Sequence, residues 1–206
     1  MKSHLMWRWT LAAICLLVAM PVMAGQYNKK ANIGDQAPKF SKLPGVDDKE
    51  YSLDDFKKKD VLVLIVTCNG CPVARAYEER LKAFTKKYAA GDDAKVAVVA
   101  VNVNNGDGDK LDKMKKRAED GEFNFLYVRD DSQDVGRSLG ATVTPEIFVF
   151  DKERKLVYMG AIDDSMDDPK VDYLTAAVDA TLKGEKPETA ETRARGCGVQ
   201  YSKKEK

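Results

Sequence analysis

The chain has 206 residues, is 44% hydrophobic and carries a formal net charge of +1. That length fits about one domain, and a charge near zero gives no argument for a nucleic acid or an anionic membrane as partner. With four cysteines and a single histidine, His4, the chain has few residues from which to build a soft-metal site.

Residues 1–24 have the three parts of a secretory signal peptide. Lys2 and Arg8 precede the apolar stretch 9–20, and Ala24 offers a small-residue cleavage site. The stretch is shorter than the about 20 residues that span a membrane, although an uncleaved anchor remains an alternative interpretation. We expect cleavage, which lowers the net charge from +1 to −1, and a periplasmic or secreted protein without a membrane segment.

The mature chain divides into three parts. Residues 25–34 form an extended lead-in, residues 35–184 a single domain, and residues 185–206 a polar C-terminal tail that carries Cys197. Short strands are expected at 37–40 and 51–53.

A β-α-β unit begins the regular part of the domain. The Val61–Thr67 run is apolar on both faces, as in a central parallel strand. Apolar residues then recur with a helical period over 73–88, and a second apolar run occupies 96–103. The connection should be right-handed.

The remaining elements follow in order. A weaker helix is expected over 109–120 and a strand over 123–128. Two antiparallel strands, Glu146–Phe150 and 155–159, should form a hairpin. A last helix, 168–184, opens on an Asp-Pro N-cap and ends at Gly184.

The segment Cys68-Asn69-Gly70-Cys71 connects the first strand to the first helix. A thiol at a helix N-terminus faces unpaired N–H groups and the positive end of the helix dipole, which favour the thiolate. The position predicts Cys68 as the nucleophile. Cys71, one turn inside the helix, would then close the disulfide.

Other interpretations of this spacing are weaker. Zinc usually needs four Cys or His ligands, and only Cys197 lies downstream of the pair. Covalent haem attachment needs a His directly after the second Cys, where this chain has Pro72. A structural disulfide closing so short a loop would constrain the unfolded chain little. A redox-active dithiol is the favoured hypothesis.

Two acidic clusters could suggest calcium: Asp107, Asp109 and Asp112, and Asp163, Asp164, Asp167 and Asp168. Neither follows the ligand spacing of an EF-hand loop. We therefore expect solvated loops and a helix N-terminus there, and neither a metal site nor a cofactor.

Four segments carry a resemblance to a known family: T-C-N-G-C-P at 67–72, T-P-E-I-F-V-F-D at 144–151, residues 162–164, and Gly196-Cys197. They resemble bacterial thioredoxin-family proteins of the redoxin, or alkyl-hydroperoxide-reductase/thiol-specific-antioxidant, superfamily. The likeness covers about residues 35–184. It implies a thioredoxin-like three-layer α/β/α sandwich with a mixed central sheet.

The resemblance also implies a site. In this family the proline opposite the dithiol is cis and the residue before it pairs with the bound partner, which here would be Pro145 and Thr144. An ordinary trans proline opening an edge strand is the alternative. The implied substrate groove comprises Thr67, Asn69, Gly70, Pro72, Thr144 and Pro145.

The implied function is an exported thiol–disulfide oxidoreductase that acts as a monomer on a partner protein or a small thiol or disulfide. Thioredoxins carry a buried acid six residues before the first Cys, where this chain has Leu62. They carry an aromatic residue directly before that Cys, where it has Thr67. These departures leave the proton acceptor for Cys71 unnamed.

Two other functions stay open. Peroxiredoxins place a Thr three residues before the peroxidatic Cys, where this chain has Ile65, so a peroxidase is the runner-up. A copper-delivery protein on this fold generally adds a His, which the mature chain lacks.

Cys197 has three interpretations: a free tail thiol, a resolving or relay partner for Cys68, or a site of intermolecular pairing. The nearby Arg193 and Arg195 would favour its thiolate. We favour a relay role.

Overall fold

A computed structural model describes residues 25–203. Its strands are β1 Leu43–Pro44, β2 Glu50–Tyr51, β3 Val61–Thr67, β4 Val96–Asn102, β5 Leu126–Arg129, β6 Val143–Thr144, β7 Glu146–Phe150, β8 Leu156–Gly160 and β9 Cys197–Gly198. Its α-helices are α1 Pro72–Ala76, α2 Glu78–Tyr88, α3 Leu111–Asp120, α4 Asp134–Leu139 and α5 Tyr173–Leu182. In this range no helix is long and apolar enough to cross a membrane.

The central sheet is mixed and has the strand order β5-β4-β3-β7-β8. β3 pairs with β4 in parallel and with β7 antiparallel, and β7 forms the predicted hairpin with β8. The pairing of Val66 with Glu146 brings the end of β3 beside residues 144–145. This register places the dithiol opposite the Thr-Pro segment.

β3 is fully buried through Val66, because helices or loops cover both faces of the sheet. Leu62, Leu64 and Val66 face the side covered by α4 and the N-terminal segment. Val61, Val63 and Ile65 face the side covered by α2, α3 and α5. The sheet between two covering layers confirms the predicted thioredoxin-like sandwich.

Several predicted boundaries were wrong. The helix predicted over 73–88 is divided at Tyr77, which ends α1 and caps α2. The last helix begins at Tyr173 rather than Pro169, since the Asp172 carboxylate accepts the Thr175 N–H at 2.9 Å and caps it there.

Other segments differ as well. The strand expected over 123–128 lies at Leu126–Arg129, and the helix expected from 109 begins at Leu111. The early strands are β1 and β2 rather than 37–40 and 51–53. α4 was not predicted, because its six residues span fewer than two helical turns and give little periodicity.

The tail is a packed part of the domain. Met159 N–H donates to Ala190 O at 3.1 Å and Thr192 N–H to Met159 O at 3.0 Å, so the tail runs beside β8. Further along, Cys197 and Gly198 pair with β6 as β9. The sequence indicates only a polar tail. A segment that is held by backbone pairing and by single side-chain contacts shows no apolar periodicity in its sequence.

Candidate functional site

The dithiol lies where β3 ends and α1 begins. Cys71 is the N-cap of α1 and Pro72 its first residue. A residue before proline is disfavoured in helical conformation, and Cys71 accordingly has extended backbone angles, φ −77° and ψ 117°. The expectation that Cys71 lies one turn inside the helix was therefore wrong. Cys68 lies outside the helix, and Cys71 is the residue at its N-terminus.

Cys68 is a buried thiol, 6% exposed. Its sulfur lies 3.3 Å from Thr144 Oγ1. Burial raises the pKa of Cys68, and although the Thr144 hydrogen bond opposes this, the nearby Asp109 carboxylate adds to the increase. Cys68 is therefore held mainly as the thiol. This contradicts the expectation that the helix N-terminus stabilises its thiolate.

Cys71 has the opposite electrostatics, although only 2% of it is exposed. Burial disfavours its thiolate, but hydrogen bonds from the Cys197 thiol and the Ala74 N–H outweigh burial and lower the pKa of Cys71. The Ala74 nitrogen lies 3.4 Å from the sulfur. As a thiol, Cys71 can donate to Thr144 O at 3.0 Å. Of the pair, Cys71 has the stabilised thiolate.

The predicted cis peptide between Thr144 and Pro145 is confirmed. Both residues are buried, and Thr144 is 0% exposed. The Thr144 side chain contacts Cys68 while its carbonyl contacts Cys71. This residue therefore touches both sulfurs.

The tail covers the edge at which the resemblance placed a bound partner. Cys197 is the strand partner of Thr144, and Gly198 is the partner of Val143. Val199 N–H continues the pairing by donating to Thr142 O at 3.0 Å. The groove expected at Thr144 and Pro145 is thus occupied by the protein's own chain.

Gly196 makes this close approach possible. A Cβ at residue 196 would overlap the carbonyl oxygen and carbon of Thr144. A glycine in a strand often marks such a backbone approach, so the sequence Gly196-Cys197-Gly198 contained a signal that pointed to packing rather than to a free tail.

Cys197 belongs to the same cluster of sulfurs. It packs, half-buried, against Cys68, Cys71 and Ala74. Its hydrogen bond to Cys71 and its partial burial raise the pKa of Cys197 to about 11. The expectation that Arg193 and Arg195 favour its thiolate was wrong, because the thiol proton is shared with Cys71.

Asn69 stabilises the turn through buried hydrogen bonds and does not line a groove. Its N–H donates to Asp109 Oδ1 at 2.8 Å, and its side-chain oxygen accepts the Tyr127 hydroxyl at 2.9 Å. Asn102 Nδ2 donates to both Asp109 Oδ1 and the Tyr127 hydroxyl oxygen at 3.0 Å. Asn69 is 7% exposed, so its prediction as a groove residue was wrong. Gly70 and Pro72 are exposed beside the dithiol, and Thr67 is half-buried.

The family of the chain follows from a comparison with family models. The model described as Redoxin matches residues 32–175, which is well over half of the chain. The chain belongs to the Redoxin family. No curated protein matches it.

Solved structures are similar over most of the redoxin domain. A hypothetical protein from Sinorhizobium meliloti is 31% identical, with a TM-score of 0.77, covering 85% of this chain and 97% of that one. An uncharacterized conserved protein from Geobacillus kaustophilus is 30% identical, with a TM-score of 0.77 and coverages of 85% and 95%. A candidate protein disulfide isomerase from Bacteroides thetaiotaomicron, 20% identical, has a TM-score of 0.56 and coverages of 74% and 91%, and shows the fold alone.

Asp109 is the site residue of this redoxin that sequence reasoning missed. It was assigned to a solvated acidic loop, yet it is 6% exposed and influences Cys68. Asp163 of the second cluster is also buried, bound to Arg80 at 2.5 Å and to the Tyr77 hydroxyl at 2.7 Å. Within residues 25–203, no group of three or more His, Cys, Asp or Glu side chains is arranged to hold a metal ion.

Proposed function

We propose that the protein is an exported thiol–disulfide oxidoreductase in which Cys68 and Cys71 alternate between dithiol and disulfide. The observation that carries this proposal is the environment of Cys71. Next to Cys68 in one turn, its sulfur receives hydrogen bonds that lower its pKa despite burial. A thiol with a low pKa is a good leaving group in disulfide exchange.

The reaction cycle needs only the sulfurs of Cys68 and Cys71. When the protein reduces a partner disulfide, Cys68 attacks one partner sulfur, forms a mixed disulfide and releases the other partner sulfur as thiolate. The Cys71 thiolate then attacks Cys68 Sγ, forming the Cys68–Cys71 bond and releasing the second partner thiolate. Two electrons pass to the partner, and the two partner thiolates take up the proton that Cys68 gives up and one proton from solvent.

The reverse cycle uses the same contacts. An external thiolate attacks Cys68, the more exposed residue of the pair, and Cys71 leaves with the electron pair. The groups that lower the pKa of Cys71 stabilise it as it leaves. The physiological direction then depends on the reduction potential.

A peroxidase is the less favoured function. Ile65 stands where a peroxiredoxin has its Thr, and its side chain is fully buried in the core. Peroxide consumption that depends on Cys68 and exceeds disulfide exchange would reverse this preference.

The first test is a glutathione redox titration of the protein, with mass spectrometry to assign the disulfides. We expect a reversible Cys68–Cys71 couple. A potential near or below about −250 mV would indicate a reductant, and one near about −120 mV an oxidant that makes disulfides. The absence of any reversible Cys68–Cys71 couple would contradict the proposal.

Replacement of Cys68 tests its assigned role. In Cys68→Ser, turnover of a test protein disulfide should fall to the background rate of the buffer thiol, because no mixed disulfide forms at residue 68. Circular dichroism checks that the fold is retained. Turnover at the wild-type rate in the folded variant would refute the assignment.

Export is proposed from the leader sequence, which lies outside the described residues. Gln26, Tyr27 and Asn28 donate their N–H groups to the Glu191 carboxylate, so the domain is held from just beyond the proposed cleavage site. N-terminal sequencing of protein from a bacterial periplasm should begin at Gly25. A chain that keeps residues 1–24 in a membrane fraction would favour the anchor.

A further inference from the structure

A third sulfur belongs to the candidate site. Cys197 packs with Cys68 and Cys71 in one cluster and hydrogen-bonds to Cys71. Among the described residues these are the three cysteines, and all are free thiols. The cycle proposed above uses two of them, so the presence of the third requires an explanation.

The tail fixes Cys197 in position from both sides. Before it, Thr192 N–H donates to Met159 O at 3.0 Å and the Thr192 hydroxyl oxygen accepts the Ala161 N–H at 2.9 Å. After it, Gln200 N–H donates to Asn104 Oδ1 and the Tyr201 hydroxyl donates to Ala141 O, both at 2.9 Å. Cys197 is therefore a fixed member of the cluster rather than a thiol on a loose end.

The backbone pairing brings Cys197 beside the dithiol. Cys197 is the strand partner of Thr144, and the Thr144 carbonyl contacts the Cys71 sulfur. The Thr144 side chain, on the other hand, points to Cys68. Cys197 packs against the cluster that contains both sulfurs, and of the two it is the Cys71 thiolate that its thiol stabilises.

We propose that Cys197 is a third redox cysteine, which takes over the disulfide by pairing with Cys71. This inference rests on the proposed Cys68–Cys71 couple and extends it. The Cys197 thiolate attacks Cys71 Sγ in the Cys68–Cys71 disulfide. The Cys71–Cys197 bond forms, the Cys68–Cys71 bond breaks, and Cys68 leaves with the electron pair. Cys197 gives up a proton and Cys68 gains one, so no net oxidation occurs.

The transfer changes which sulfur faces the solvent. Cys68 and Cys71 are 6% and 2% exposed, whereas Cys197 is half-buried. In the Cys71–Cys197 disulfide an external thiol can reach Cys197 and expel Cys71, the thiol with the lowered pKa. The released Cys68 is meanwhile protonated, as its raised pKa favours.

The test compares two single variants of the full chain, Cys68→Ser and Cys71→Ser, equilibrated with glutathione and its disulfide. Trypsin leaves Cys68 and Cys71 together on residues 60–75 and Cys197 on residues 196–203. A disulfide to Cys197 therefore links two peptides, and each variant shows which cysteine forms it. Mass spectrometry of non-reduced digests counts the linked peptides.

We expect most of the Cys68→Ser protein to carry the Cys71–Cys197 link. Cys71→Ser, which still has two thiols in the cluster, should instead carry separate glutathione adducts on Cys68 and Cys197. Separate adducts in Cys68→Ser, or equal linkage in the two variants, would overturn the proposal. Circular dichroism confirms that each variant is folded.

The wild-type chain gives a second, independent measurement. Partial oxidation should yield both a Cys68–Cys71 peptide and a peptide linked to Cys197, assigned to Cys71 by fragmentation. If only the Cys68–Cys71 disulfide forms at every glutathione ratio, the third-cysteine role fails while the proposed function stands. If Cys68→Ser forms the Cys71–Cys197 link but the wild type shows no reversible Cys68–Cys71 couple, the proposed function fails separately.

Discussion

The two cysteines at the ends of the turn at residues 68–71 are both buried, yet the surroundings of Cys68 disfavour a thiolate and those of Cys71 favour one. On the Cys68 side, desolvation and the buried carboxylate of Asp109 raise the pKa of the thiol. On the Cys71 side, N–H and thiol donors lower the pKa. Burial alone therefore does not decide the protonation state of a cysteine. The polar groups that reach the sulfur decide it.

The two sides also differ in how they are built. The carboxylate side is held by Asn69, Asn102 and Tyr127. The donor side depends on the tail, whose residue 197 lies 126 positions after Cys71 in sequence. Substitutions that act on only one side should increase or decrease the difference between the pKa of Cys68 and the pKa of Cys71.

The largest effect is expected from moving the tail. In Gly196→Val the new side chain would overlap the Thr144 backbone, and overpacking of this kind costs about 1–3 kcal/mol. The strand pairing at Cys197 should be lost, the pKa of Cys71 should rise, and alkylating reagents should reach Cys71 faster at alkaline pH. Urea denaturation and peptide mapping after alkylation measure these effects.

Gly198→Ala is the control, at the glycine on the other side of Cys197. A Cβ at residue 198 has no atom within 4 Å, so the stability and the alkylation of Cys71 should stay close to wild type. If both variants behave alike, the close approach at Gly196 is not what holds the tail.

Asp109 controls the other side of the turn. Asp109→Ala leaves the Asn69 N–H without its acceptor and removes one of the two acceptors of the Asn102 amide, and an unsatisfied buried donor costs about 1–3 kcal/mol. Asp109→Asn keeps an oxygen acceptor and removes the charge. It should retain more stability, and it should lower the pKa of Cys68, because the carboxylate raises it in the wild type.

The pH dependence of Cys68 alkylation, read on its own peptide, checks this. In Asp109→Asn the reaction should persist to lower pH than in the wild type. An unchanged midpoint would show that desolvation alone sets the pKa of Cys68.

The smallest effect concerns a single hydrogen bond at Cys71. Cys197→Ala removes the donor that lowers the pKa of Cys71, whereas Cys197→Ser keeps a hydroxyl donor. A lower pKa keeps Cys71 as the thiolate down to a lower pH. As the pH is lowered, alkylation of Cys71 should therefore begin to slow at a higher pH in the Ala variant than in the Ser variant. Equal midpoints would assign the lowering to Ala74 and the backbone instead.

Local patterns located the centre of the fold well. β3 and β7 were predicted with their observed bounds, because continuous β-branched and apolar runs indicate buried strands. The start of α5 was missed, since Asp168 and Asp172 are both plausible caps in sequence and only the observed contact of Asp172 with Thr175 selects one.

The candidate site shows the same limit. The strand-to-helix position of the two cysteines followed from their neighbours in sequence. The assignment of the stabilised thiolate to Cys68 was wrong, because Pro72 keeps Cys71 extended and makes Cys71, not Cys68, the N-cap of α1. Asp109 was read as solvated because a local acidic cluster gives no sign of burial.

From the residues alone the dithiol could be placed where a strand meets a helix, and the resemblance to a known family implied the mixed sandwich and the proline opposite the dithiol. Only the tertiary structure decided which thiol is stabilised, that Asp109 lies under the turn, and that Cys197 pairs against Thr144. Those properties come from charges and donors that residues far apart in sequence bring to one sulfur, and electrostatic effects at such short range depend on atomic positions that no local pattern specifies.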